Sequence, residues 1–328
     1  MLRKLWLPLF LTLATISSAQ QTRHFAFHYT FTVKDVPPGE KLRVWIPAAH
    51  SDEFQEVRVV QATGDLGMRK THESRFGNEM YYAETSKARQ ADWRFEVLYD
   101  VVRHERLTLG VERPHLAEVQ LKDRERKGDL EPDKLVPVTG LPADLAAKVT
   151  EGMTAPLDKA RAIYDYVFTT MRYDKTGTGW GHGDVLYACD AKKGNCTDFH
   201  SLFIAMARSQ GIPARFEIGF PLPPDKHMAE VAGYHCWADF FEPKHGWIPV
   251  DISEAWKHQE KRDYFFGAHD VNRIQFTMGR DLRLSPAQDG PPLNYFVYPY
   301  VEVAGKEYPN VSLAFSFADV DAATAAAK

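Results

Sequence analysis

A cysteine, a histidine and an aspartate in the second half of this 328-residue chain have the spacing that nucleophilic acyl chemistry needs. Cys196 stands in the run Gly194-Asn195-Cys196-Thr197-Asp198-Phe199-His200, just ahead of an apolar stretch. Phe199, Leu202, Phe203 and Met206 recur at i, i+3, i+4 and i+7, which predicts a helix from about Thr197 to Gln210. Cys196 lies three residues before Phe199, at the N-terminal end of the buried stripe. Unpaired backbone N–H groups in a first turn, together with the helix dipole, favour a thiolate over a thiol. The thiolate is the nucleophile, so a reactive cysteine gains from this place.

A nucleophilic cysteine needs a base, and the base needs an orienting group. Gly233-Tyr234-His235-Cys236-Trp237-Ala238-Asp239-Phe240-Phe241 reads as a buried strand, and Gly246-Trp247-Ile248-Pro249-Val250-Asp251 as its return. An odd-numbered loop between them pairs odd positions with odd. His235 and Asp251 then share a face, with Cβ atoms roughly 4.5–8 Å apart. An even loop would separate them. Alternation turns Cys236 to the opposite face from His235. Each residue has a bland reading alone: a small buried thiol, a core histidine, a turn cap. Their order on helix, strand and strand favours the catalytic reading. His200, one turn after Cys196 and about 40° round the helix, is the rival base, although polar packing suits it better. Asp198 points away from the sulfur, which suits capping or a pairing with Arg215.

Other elements must position this constellation. From Arg23 to about Val119, short strands alternate with turn residues, which points to a β-sandwich. Residues 120–137 are charged or rich in proline and read as a linker. Leu157 to Met171 is amphipathic with helical spacing, a Gly-rich loop runs from Gly177 to Gly183, and Ile212 to Gly219 reads as a strand. Further strands follow Pro221-Leu222-Pro223-Pro224. The Ala-rich tail, 321–328, is expected to be disordered.

The first nineteen residues have the plan of a signal peptide: Met-Leu-Arg-Lys, an apolar run from Leu5 to Ile16, then Ser17-Ser18-Ala19. The run is too short to span a bilayer, and no later stretch resembles a membrane span. The expectation is an exported protein, periplasmic or secreted. Its formal charge of −4 becomes −6 once Arg3 and Lys4 leave with the segment. That balance offers no reason for nucleic acid as a partner. No metal site is expected, because Cys189, Cys196, His235 and Cys236 lack zinc-ligand spacing, and no cofactor motif is present. In an oxidising compartment Cys189 and Cys236 could pair and leave Cys196 free.

GNCTDFHSLFIAMARSQGIPARFEIGFPLP, GYHCWADFF and GWIPVD together resemble the transglutaminase-like superfamily, most of all its bacterial exported branch. GRDLRL at 279–284 and LNYFVYPYVE at 293–302 are also similar to that family, without obvious chemistry of their own. The resemblance implies an α+β, papain-like transglutaminase core, with helices packed on an antiparallel sheet, spanning 138–320 with its C-terminal strands. An N-terminal β-sandwich over 20–119 would precede it. It implies a Cys196-His235-Asp251 triad acting on peptide or protein amides, cell-wall peptides among them, by hydrolysis or acyl transfer. The Cys196 backbone N–H would hold the oxyanion with a second donor from Trp180, Tyr187 or Tyr173. His182, Asp184, Glu254 and Trp256 are candidates to line the cleft. The competing reading is a binding or scaffold module that keeps the fold without turnover.

Overall fold

The computed structural model describes residues 20–109 and 119–320. The N-terminal apolar segment and the Ala-rich tail lie outside the described residues. The first half is built of strands β1 (Thr22–Val33), β2 (Leu42–Pro47), β3 (Gln55–Gly64), β4 (Arg69–His72), β5 (Glu79–Thr85), β6 (Trp93–His104) and the short β7 (Arg106–Leu107). Alternation decides their faces. Phe25, Phe27, Tyr29, Phe31 and Val33 of β1 are buried, as are Trp93, Phe95, Val97, Tyr99 and Val101 of β6, while the residues between are more exposed.

Helices then take over. The expected linker carries α1 (Asp123–Gly128), followed by α2 (Leu141–Val149), α3 (Pro156–Thr170) and the two-residue β8 (Arg172–Tyr173). Next come α4 (Val185–Ala191), β9 (Lys193–Gly194) and the buried α5 (Cys196–Ser209). The reading of 120–137 as a free linker needs correction. Asp133 accepts from Arg208 of α5 at 2.7 Å, and Arg208 also donates to the Glu131 carbonyl. A buried ion pair therefore fastens this charged segment to the core.

The sheet behind α5 orders as β13-β12-β10-β15, all antiparallel, from β10 (Ala214–Pro221), β11 (Met228–Glu230, which joins another sheet), β12 (His235–Glu242) and β13 (Gly246–Val250). α6 (Ile252–Lys257) and β14 (Ala268–His269) precede β15 (Arg273–Met278). Phe203 of α5 meets Phe240 of β12 with ring centroids 6.0 Å apart, so the helix is clamped to the sheet by aromatic packing.

The last strands do not belong to this core, contrary to the expectation for 138–320. β16 (Tyr300–Val303), β17 (Lys306–Glu307) and β18 (Val311–Asp319) return to the N-terminal half. β18 runs against β1 from Phe25↔Asp319 to Val33↔Val311, and β16 pairs with β2. Two five-stranded sheets result, β11-β18-β1-β6-β3 and β17-β16-β2-β5-β4. The aromatic face of β1 and β6 packs on the four-stranded sheet: Phe27 lies 5.3 Å from Phe220, and Tyr29 and Tyr99 lie 5.5 and 5.6 Å from Phe276. Both halves share one hydrophobic cluster.

Candidate active site

Asn195 and Asp198 form a capping box at the start of α5, so Cys196 occupies the first helical position. Among the described residues its backbone N–H has no protein partner, as expected of a first-turn donor. The loop Pro243-Lys244-His245 has three residues, and β12 pairs with β13 as Asp239↔Pro249 and Phe241↔Trp247. Odd positions face odd ones. His235 and Asp251 consequently meet, Nε2 to Oδ2 at 2.7 Å. That contact leaves Nδ1 of the ring for the sulfur.

Asp251 lies one residue beyond its strand and serves as N-cap of α6. Oδ1 accepts from the Glu254 N–H at 3.1 Å and the Ser253 hydroxyl at 3.2 Å, while Oδ2 takes His235 and Nη1 of Arg273 at 2.9 Å. Burial alone would raise this carboxyl; the charges of His235 and Arg273 overcome it and hold the group well below the usual carboxylate range. Burial likewise opposes a charged His235, yet Asp251 and then Cys196 push its pKa up to about 10. Cys196 is driven well below an ordinary thiol against its own desolvation, by hydrogen bonds from Cys236 and His235 and by the charge of His235. The favoured state is a thiolate–imidazolium pair.

Cys236 is therefore not apart from the site, as alternation alone suggested. Its thiol lies 3.6 Å from Thr197 Oγ1 and 3.9 Å from His200 Nδ1, beside the start of α5. All three cysteines are free, and Cys189 sits on α4 with no bond to Cys236. His200 is not the base. Its Nδ1 lies 2.7 Å from the Cys196 carbonyl, which can only accept, and Nε2 accepts the Ile252 N–H at 3.0 Å. Burial lowers its pKa to about 4 and keeps the ring neutral. Both nitrogens are occupied, so His200 is a strut between the cysteine and the Asp251 turn.

Asp198 explains the Gly-rich loop. Its carboxylate accepts from the N–H groups of Gly181 (2.7 Å), Gly183 (3.0 Å) and Asn195 (2.9 Å). It makes no contact with Arg215, which pairs instead with Asp239 and Glu217. Gly183 has φ +62° and no room for a side chain: a Cβ would lie 2.8 Å from both Arg280 Nη1 and Thr197 Cγ2. Arg280 donates to the carbonyls of Gly183 and His182, and Asn294 to that of His182. The GRDLRL and LNYFVYPYVE runs thus latch this loop. Asp198→Ala should orphan three buried donors and destabilise the protein by at least about 2 kcal/mol, read as a lower urea midpoint. An unchanged midpoint would remove Asp198 from this role.

A cleft of about 530 Å³ opens onto His235. Pro221 to Pro224 and Val231 to Tyr234 form one side, and Tyr173, Lys257 and Lys261 border it as well. Arg23, at the start of β1, donates to the Pro223 and Lys226 carbonyls and pins this wall. Cys196 is only 2 % exposed. Glu254 lines the cleft, as expected, with Oε1 3.9 Å from His235 and bonded to Lys257. Other candidates fall elsewhere. Trp180 spends its indole N–H on the Gly177 carbonyl at 3.1 Å, and Tyr187 packs under Gly179. Asp184 caps α4 through Leu186 and Tyr187, and the exposed His182 contributes its carbonyl to the loop latch. Trp256 packs against the core. None of these five borders the cleft.

Two partners escaped sequence reasoning. Tyr234 hydrogen-bonds Thr197 Oγ1 and Asn195 Nδ2, both at 3.0 Å, and so ties the histidine strand to the cysteine helix. Its place beside His235 was the available signal. Arg273 had none, because only the packing of β15 beside β10 brings it to Asp251.

Residues 143–252 match the model of the transglutaminase-like superfamily. This chain carries a transglutaminase-like core. The segments that flank residues 143–252 also have counterparts. A structure described as that of a "Putative Cysteine Protease" from Cytophaga hutchinsonii superposes with a TM-score of 0.59 at 15% identity, covering 93% of this chain and 92% of that one. At that identity the likeness establishes the fold, over both halves. An uncharacterized protein of Haemophilus influenzae is 27% identical over 310 residues, 82% of this chain and 83% of its own. YebA of Bacillus subtilis is 27% identical over 125 residues, 34% of this chain and 17% of its own. Among the described residues no helix is long and apolar enough to cross a membrane.

Proposed function

We propose that this protein is an exported thiol enzyme that cleaves or transfers peptide-type amides through a thioester on Cys196. The 2.7 Å contact between His235 and Asp251 carries the reading, because it turns the other ring nitrogen to the sulfur and sustains the thiolate. The Cys196 thiolate attacks the amide carbonyl, and the C–S bond forms. The oxyanion is held by the Cys196 N–H and one further donor. Tyr173 fits that second place better than Trp180, since it borders the cleft and its phenol, pushed up to about 12 first by burial and then by the nearby thiolate, stays protonated. His235 protonates the leaving nitrogen as the C–N bond breaks. It then takes a proton from water or from an incoming amine, giving hydrolysis or acyl transfer.

Iodoacetamide labelling tests the assignment. Cys196 should alkylate at pH 6 at least about 100-fold faster than Cys189, whose thiol burial pushes up to about 11. Equal, slow labelling of both would favour a scaffold without turnover. Incubation with a glutaminyl peptide plus a fluorescent amine, and separately with peptidoglycan fragments, distinguishes transfer from cleavage. The N-terminal segment supports export, and secretion of a reporter fused behind residues 1–19 checks it.

A further inference from the structure

On the face of the catalytic sheet away from α5, a second cavity of about 310 Å³ lies between the two halves of the chain. Arg103, Arg106 and Arg215 line it, with His50, His245 and Thr108. Two of these cations are matched. Asp239 accepts from Arg106 at 3.0 Å and Arg215 at 2.9 Å, and Glu217 pairs with Arg215 at 3.0 Å. Asp52 and Glu217 favour the Arg103 charge through space, yet among the described residues neither forms an ion pair with it. Asp52 caps the turn at Phe54 and Gln55, and Glu53 is exposed.

Arg103 is the exception. It is 2 % exposed, and among the described residues no carboxylate lies within 4.0 Å of its guanidinium. Its one hydrogen bond goes to the neutral Gln55 Oε1 at 3.3 Å, an oxygen that Gln275 N–H also uses. An unmatched buried charge costs several kcal/mol. Burial, in line with this, lowers its pKa to about 10. Five bordering residues, His50, Arg103, Arg106, Thr108 and Arg215, each keep a buried side-chain nitrogen or oxygen without a hydrogen-bond partner among the described residues. The three arginine Nε atoms can only donate. Among the described residues the cavity offers these donors no free buried acceptor carrying negative charge.

We propose that this cavity binds a small oxyanion, a carboxylate or a phosphate, with Arg103 as its counter-charge. The site lies on the sheet face that His235 shares with Trp237 and Asp239, further along β12, and its anion chemistry does not depend on the thiol reading. Thermal unfolding of the full chain, titrated with inorganic phosphate and with acetate at fixed ionic strength, tests it. Binding should raise Tm, by about 2–4 °C at ten times the dissociation constant and logarithmically beyond it. A response to phosphate alone identifies a phosphoryl ligand, and one to acetate alone a carboxylate. Arg103→Gln should abolish the response. Should that variant fail to fold, Thr108→Val keeps the guanidinium and should weaken the midpoint severalfold. No rise in Tm with either anion at fixed ionic strength, or an unchanged response in both variants, overturns the proposal.

Discussion

Cys196→Ala should leave a folded protein whose turnover of peptide amides falls by at least ~10⁴-fold, because removing a triad nucleophile leaves only binding and oxyanion stabilisation. The side chain removed is small and its helix keeps the Asn195–Asp198 capping box, so Tm should move little beside the loss of rate. Amide hydrolysis and amine incorporation, measured with Tm, check both halves of the expectation. Residual turnover within about tenfold of the parent would mean that the sulfur is not the nucleophile. The same variant should lower the pKa of His235, since the thiolate is one of the groups that raise it. An NMR titration of the ring reads that shift separately from turnover.

Asp251→Ala should cost both activity and stability. In activity, His235 loses the acceptor that sets its tautomer, and a drop of about 10⁴ in kcat is the scale for such a loss in a triad. In stability, Arg273 loses a buried partner at 2.9 Å and α6 loses its cap, so about 3–5 kcal/mol should disappear from the urea unfolding free energy. The pH dependence follows from the shifts of Asp251, His235 and Cys196. Asp251 is depressed in the folded state, so its contribution is present above its unfolded value of about 3.9 and is lost as pH falls. His235 is raised to about 10, so its contribution is full below about 6.5 and is lost as pH rises towards 10. Cys196 is depressed in the folded state, so its contribution is full above about 8.5 and is lost as pH falls. It offsets the His235 slope between about 6.5 and 8.5, and the parent should therefore be most stable near neutral pH. Asp251→Ala should flatten both limbs, and a variant that kept the alkaline limb would break the pairing.

The placement of Cys196, His235 and Asp251 was legible because each rests on local periodicity. The apolar stripe from Phe199 to Met206 placed Cys196 at a helix start, and loop parity placed His235 and Asp251 on one face. Period and parity are properties of a few neighbouring residues, so no distant partner can alter them. Trp180 failed as a donor for a local reason of another kind: its indole bends back to Gly177 within a loop whose glycines carry no periodic signal.

What surrounds the triad was decided by long-range pairing. β18 belongs with β1, almost three hundred positions earlier, and nothing in its alternation distinguishes that partner from a strand of the core. Arg273 reaches Asp251 only because β15 lies against β10. The charged stretch after Val119 docks because Asp133 finds Arg208. Such contacts depend on which surfaces remain to be buried once the local elements exist. By itself, then, the sequence determined where Cys196, His235 and Asp251 sit on their helix and strands. Only the tertiary structure decided which buried charges stabilise them, because an ion pair is set by proximity in space and leaves no period along the chain.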